Sequence, residues 1–581
     1  MRSLRMFDTV SGRGSVLAIS LLMTGCARPS QMTSGQWIGD MGHPGAAEHM
    51  EVSIDSSGRS ARITVPSWGL DKALASSALA GSDSLAFTTV VGGDTKLFRG
   101  TVHEGAWIGE AKQGTETTPF ALRRLHSLTD RDWGAIVGTY RTEDGRHLGI
   151  APFSEIGTLP LIVDYHTGRI GPLYPIARDR FLVGHSLVTP VFPADTLEFT
   201  YGPAMEVRGL RFSERDHPPV VAPRVATRDE EVQFANGPVT LRGTLTLPAG
   251  PPPYPSLVLV HGSNAVTRDV FGPWSRYFAG LGFAVLSYDK RGTGHSTGDW
   301  KNADFPTLAT DVLAGVRSLA SRNDIRRDRI GLWGASQAGW IMPIVVAQAP
   351  REIAFLVVHA GSGTTVREQG VLYIQNELRF AGLPEASVAI GTRYQMLDDS
   401  VSRAGSGWDQ LQRFYETHRA EETWLWPPRP ADDWFRPYYR MLMDFDPSAS
   451  WKRVTCPVLL FFGELDANVP PRESWPPIER ALRQAGNPRV SQVVSRRPTT
   501  SFSKLEPAPV TSILGCPGSC RVTSTGWPNG FRIFNDNASM HCFRRARILT
   551  LIRVLAARDM NRKERRVYAE ITTRAEEAPD V

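Results

Sequence analysis

The sequence predicts a doubly wound α/β domain with a mostly parallel sheet and a helical cap, preceded by an all-β N-terminal domain. Continuous apolar runs carry the first part of that expectation: Ser256-Leu-Val-Leu-Val260, Phe283-Ala-Val-Leu-Ser287, Ile330-Gly-Leu-Trp333, Phe355-Leu-Val-Val358 and Val458-Leu-Leu-Phe-Phe462. Such runs suit strands covered on both faces, the situation of parallel strands flanked by helices. Between them, Leu308, Val312, Val316 and Leu319 recur on one face of a helix ending near Ala320, so strand and helix alternate along the chain. The N-terminal part follows a different rule. From Gly35 to about Phe212, short segments such as Met50-Glu-Val-Ser-Ile54 and Ala61-Arg-Ile-Thr-Val65 alternate apolar and polar residues between turn sequences. That period of two belongs to antiparallel strands with one face in water.

Taken in order, residues 1–26 have the three-part layout of a secretory signal. Arg2, Arg5 and Arg13 precede the apolar run Val16-Leu-Ala-Ile-Ser-Leu-Leu-Met23, and Thr24-Gly25 leads into Cys26. The run falls short of the ~20 residues that a spanning helix needs. Residues 35–216 form the all-β domain, in which Gly35-Gln-Trp-Ile-Gly and Gly138-Thr-Tyr-Arg open two loosely similar stretches. These suit two small barrels or sandwiches, or two halves of one. Pro218-Pro219 and Pro223 mark a linker. The α/β domain follows over 228–494, with Val239 to Leu247 as an antiparallel strand at its start. An insertion at about 363–451 carries Trp408, Trp424, Trp426, Trp434, Tyr438 and Tyr439 and reads as a cap over the site. Residues 495–581 break the pattern.

At 581 residues the chain exceeds what one core serves, since single cores stop growing at about 250–300 residues. Its 41% hydrophobic and 21% charged residues place it among folded globular proteins, away from disordered chains. The net charge of +6 is small for this length and much of it lies in the last forty residues, so no nucleic-acid partner is expected. Of the five cysteines, Cys456 precedes Pro457 at a strand entry and reads as a buried, inert thiol. Cys516, Cys520, His541 and Cys542 fit no established zinc spacing, so no metal is expected. The histidines of the β region are scattered and form no cluster.

The strongest chemical signal is Ile330-Gly-Leu-Trp-Gly-Ala-Ser336-Gln-Ala-Gly, in which a strand runs into a serine flanked by small residues and then into a helix. A serine held at strained backbone angles on a strand-to-helix turn needs small neighbours two before and two after, and Gly334 and Ala338 supply them. Gly294-His-Ser296-Thr-Gly298 matches the Gly-x-Ser-x-Gly letters better, yet it sits among polar loop residues with no helix following. Structural context favours Ser336.

Together with His261-Gly-Ser263, Tyr288-Asp-Lys-Arg-Gly-Thr-Gly-His-Ser-Thr-Gly298 and Gly463-Glu-Leu-Asp466, this serine motif resembles bacterial α/β-hydrolases, over about residues 228 to 490. The closest look is to capped serine esterases and serine aminopeptidase-like enzymes, which cleave esters, thioesters or small amides without a cofactor. The resemblance implies Ser336 as nucleophile, the amides of Gln337 and Ser263 as oxyanion donors, and Asp466 as the acid that orients a histidine. It makes His261 a loop-shaping residue. Asp466 also reads as a cap for the helix after Pro470-Pro471. The Met-Thr-Gly-Cys ending of the signal resembles a lipobox, which implies lipidation of Cys26 and attachment to a bacterial membrane. Ala27, with no Asp after Cys26, implies the outer membrane in a Gram-negative host. The competing reading is a non-catalytic lipoprotein that binds a ligand through its β region.

One member of the set is missing. The resemblance implies a catalytic histidine on the loop after the last strand, Val490-Ser-Gln-Val-Val494, yet no histidine follows until His541. Instead Arg496-Arg-Pro-Thr-Thr-Ser-Phe-Ser-Lys opens an aperiodic stretch. A shifted reading frame accounts for this. If Arg497 to Ser501 are encoded CGA CCA ACC ACG TCN, reading from the third base of Arg497 gives Thr-Asn-His-Val. The alternative is that His541 folds back to Ser336. Without either base, a serine hydroxyl is a poor nucleophile.

Overall fold

The computed structural model describes residues 34–495, except for 43–47, 58–59, 66–67, 78–83, 92, 153–159, 185–194, 216 and 465. Cys26, the signal, His541 and the whole stretch from Arg496 lie outside the described residues. The chain divides into two compact units at Leu125/His126.

In the first unit, eight antiparallel strands from Gly35–Met41 to Glu116–Arg124 close into a barrel, the first strand pairing with the last. Closure removes the open edges that alternating strands would otherwise expose. Inward residues fill the interior: Trp37, Phe87, Phe98, Trp107 and Phe120 are buried, with Trp107 packed edge-on against Phe120 at 4.8 Å.

The second unit opens with another eight-stranded antiparallel sheet, from Gly138–Arg141 to Val220–Pro223, preceded by a short helix Asp130–Ile136. Its first and last strands come together through a bridge between Tyr140 and Arg224. The all-β region read over 35–216, with its two loosely similar stretches, is two eight-stranded sheets in different units. Gly35 and Gly138 each open the first strand of one of them.

The third sheet carries the site. Its strands are β1 (Thr227–Asn236), β2 (Val239–Pro248), β3 (Tyr254–Val260), β4 (Ala284–Tyr288), β5 (Ile325–Ala335), β6 (Phe355–His359), β7 (Val458–Gly463) and β8 (Val490–Ser495), in the order β1-β2-β4-β3-β5-β6-β7-β8. The pairs β1/β2 and β2/β4 are antiparallel, and the five pairs from β4/β3 to β7/β8 are parallel. Across the described chain as a whole, antiparallel pairing dominates, because both preceding sheets are antiparallel throughout.

The continuous apolar runs have the expected physical origin. Val258 and Val260 of β3 face one core with α2 (Phe305–Ala320), α3 (Ala338–Gln348) and α9 (Pro471–Gln484), whereas Leu257 and Leu259 face another with α1 (Gly272–Gly280). That second core also takes Leu161, Val163, Tyr165 and Ile170 from the preceding antiparallel sheet. Tyr165 stacks on Tyr277 of α1 at 3.9 Å, and its hydroxyl donates to the Pro273 carbonyl at 2.5 Å. Between β6 and β7 the insertion folds as α4 (Val366–Phe380), α5 (Glu385–Ala404), α6 (Trp408–His418), α7 (Phe435–Leu442) and α8 (Ser448–Trp451). No helix among the described residues is long and apolar enough to cross a membrane.

Candidate active site

Ser336 stands between the end of β5 and the start of α3 with φ of +55°, a left-handed conformation that a side chain adopts only where the surroundings enforce it. The small residues around it are what allow this. A Cβ on Gly334 would lie 2.5 Å from the Ala338 Cβ and 2.7 Å from the Val260 carbonyl oxygen. The space that a glycine would leave at position 338 is thus taken up by one methyl group. A Cβ on Gly339 would lie 2.5 Å from the Gly361 Cα, so this glycine, one past Ala338, serves the approach of α3 to the turn after β6. The Ser336 amide donates to the His359 carbonyl at 2.9 Å, which pins the serine against β6.

Ser296, the literal motif match, is spent on its own loop. Its buried hydroxyl donates to the Asp289 carbonyl at 2.7 Å and accepts from the Arg242 amide at 3.0 Å. Asp289 in turn accepts from the amides of Arg268 and His295, so the Tyr288–Gly298 segment is a braced loop with no strand-to-helix turn. His261 is likewise structural. Its Nε2 bonds the Tyr288 carbonyl, and burial together with the neighbouring Lys290 charge pushes its pKa down to about 3.

Asp466 lies in the turn that follows β7. Its Oδ1 accepts from the Asn468 and Val469 amides, both at 2.9 Å. The helix-capping role read from the sequence needs correcting: Pro470 is the residue before α9, and the Asp466 carboxylate organises its own turn instead. That turn is held from the cap, where Gln369 of α4 donates to the Asn468 side chain at 2.7 Å and Asn376 donates to the Ala467 carbonyl at 3.3 Å.

Ser263 and Gln337, the two expected oxyanion donors, flank one buried cation. Lys290 Nζ donates to the Gly262 carbonyl at 3.0 Å and to the Gln337 Oε1 at 3.1 Å. Gln337 Nε2 in turn reaches the Tyr438 hydroxyl of α7 at 3.4 Å. Tyr438 packs edge-on against Trp300, which also meets Trp434. Of the cap aromatics singled out in the sequence, Tyr438 and Trp434 border this group. The others serve the cap itself: Trp408 donates to the Arg429 carbonyl, Trp424 to Glu422 and Tyr439 to Asp399, while Trp426 is exposed.

Residues 220–485 match the family described as X-Pro dipeptidyl-peptidase (S15 family). Over that segment, which is less than half of its length, the chain is similar to this family. An uncharacterized 31.7 kDa protein of Escherichia coli, from the traX-finO intergenic region, is 24% identical over 242 residues, 40% of this chain and 79% of that protein. Esterase EstD of Thermotoga maritima is 25% identical over 237 residues, 39% of this chain and 50% of the esterase. Among solved structures, an esterase of Pyrococcus furiosus is similar with a TM-score of 0.31 and 17% identity, covering 50% of this chain and 89% of that one.

Sequence reasoning missed Lys290, Gln369 and Asn468. Lys290 lies within Tyr288-Asp-Lys-Arg-Gly, two residues past the end of β4, and a lysine directly after a buried strand was the available signal. The Gln369–Asn468 bond spans 99 residues and left none. Among the described residues, no group of three or more His, Cys, Asp or Glu side chains is arranged to hold a metal ion.

Proposed function

We propose that this hydrolase cleaves small carboxylic esters, thioesters or amides through an acyl-enzyme on Ser336. The observation that carries the reading is the left-handed serine between β5 and α3. Ser336 Oγ attacks the substrate carbonyl carbon, and the amides of Gln337 and Ser263 receive the oxygen as it gains charge. Fixed donors are worth most at such a site because they need no reorganisation as the charge develops. Asp466 orients the general base, which the reading places on the loop after β8. The tetrahedral intermediate collapses with cleavage of the ester, thioester or amide bond, the alcohol, thiol or amine leaves with the proton taken from Ser336, and water then hydrolyses the acyl-enzyme to the carboxylic acid and free Ser336. Neither a metal nor a cofactor enters these steps.

The test is covalent labelling with a fluorophosphonate. Prolonged exposure is expected to modify the parent chain at Ser336 and to leave Ser336→Ala unmodified; equal labelling of both would refute the assignment. A ligand-binding protein without catalysis is the other reading, and it predicts no labelling of either.

We also propose export and lipid attachment at Cys26, supported by the basic, apolar and small-residue layout of the first 26 residues. In a bacterial host fed a labelled fatty acid, the parent is expected to take up label and Cys26→Ser to lose it. Membrane retention of the unlabelled variant would point to an uncut anchor.

A further inference from the structure

We propose that Lys290 is a positioning residue that holds the oxyanion loop, residues 262–264, against the nucleophile turn. The inference rests on the assignment of Ser336, Gln337 and Ser263 above and adds the group that fixes their spacing. The ammonium sits at the end of β4 and makes three hydrogen bonds: to the Gly262 carbonyl at 3.0 Å, to the Asn264 carbonyl at 3.1 Å and to Gln337 Oε1 at 3.1 Å. The first two acceptors bracket Ser263. The third belongs to the residue after Ser336. One buried cation thus ties together the two backbone segments whose amides are to meet the substrate oxygen.

The tie acts at a left-handed turn: Asn264 has φ of +70°, a region that asparagine enters more readily than other residues with a Cβ. Its carbonyl is one of the three that Lys290 engages. Further along, Val266 accepts from the Lys290 amide and from the Thr293 hydroxyl, so the lysine's backbone and side chain grip the same loop at two points.

The chemistry of the group fits positioning and not proton abstraction. An ammonium has three N–H donors and no acceptor. All three are directed at oxygen atoms, a surrounding of acceptors that favours the protonated form, which has no lone pair to offer Ser336. Burial outweighs the favourable field of the Asp311 carboxylate on α2 and leaves the pKa of Lys290 at about 7. Trp300 lies against the cation at 5.4 Å from its ring centre and keeps water from one side.

The experiment is deuterium exchange, followed by mass spectrometry, on the full-length chain and on Lys290→Met, with fluorophosphonate labelling rates measured in parallel. Peptides over residues 261–268 are expected to exchange at least about tenfold faster in the variant, with the barrel strands unchanged, and Ser336 to label about tenfold more slowly. Unchanged protection of 261–268 overturns the proposal, as does a loosened loop that labels at the parent rate. Should Lys290→Met lose protection everywhere, Lys290→Gln, which retains two donors, is expected to loosen the loop alone; its failure to do so also overturns the proposal. Equal labelling of Ser336→Ala would instead sink the nucleophile assignment and leave the exchange result standing.

Discussion

A chain carrying Thr-Asn-His-Val directly after β8 is expected to hydrolyse p-nitrophenyl acetate about 10⁴-fold faster than the present sequence, with little change in KM. The magnitude follows from what a serine hydrolase keeps when one partner is lost. The oxyanion donors and substrate binding together leave only ~10³–10⁴-fold catalysis over water, and the rest depends on nucleophile, base and acid acting as a unit. The site is ready to receive a base: Ser336 is held at its strained angle and the Asp466 turn is braced from the cap. β8 pairs with β7 as far as Gly463/Ser495, which sets the start of the replacement loop directly beside the strand that leads to Asp466. Turnover equal to that of the present chain would mean that another group, His541 included, already serves as base.

The second large effect concerns stability. Asp311→Ala is expected to lower the unfolding free energy of the second unit by about 3–5 kcal/mol, the usual penalty for leaving a buried ionic partner uncompensated. Asp311 is buried on α2 and receives two hydrogen bonds from Arg291, at 2.6 and 2.7 Å, and one from Asn236 at 2.8 Å. It also supplies the favourable field at Lys290. Its removal strands one partly buried guanidinium and raises the cost of a fully buried ammonium. Urea titration followed by tryptophan fluorescence reads the loss directly. A change below about 1 kcal/mol would show that water reaches Arg291 and that the pair behaves as an exposed one.

Much of this could be read in the sequence because the parallel strands announce themselves. Val258 and Val260 enter one core while Leu257 and Leu259 enter the other, and only a strand covered on both sides tolerates such a run. The Ser336 turn was legible for a similar reason, since the clash at Gly334 permits nothing larger there. What escaped was long-range and polar. Lys290 takes its meaning from carbonyls 26 and 28 residues upstream and a glutamine 47 residues downstream, a convergence that no local pattern encodes. The two stretches of the β region, opening at Gly35 and Gly138, were legible, but not which core each would join. Both halves alternate with the same period, and membership of one core or another is decided by which side chains, such as Tyr165, find partners on α1.

The Tyr165–Tyr277 stack has a thermodynamic consequence for residues 126–495. Because Leu161, Val163, Tyr165 and Ile170 share a core with α1 and with β3 to β7, the second antiparallel sheet and the sheet carrying Ser336 gain their stability jointly. Elements coupled through one core open and close as a single cooperative unit. A destabilising substitution in the part of the antiparallel sheet that enters this core is therefore felt as a smaller population of the competent fold. Selection on turnover alone suffices to preserve it.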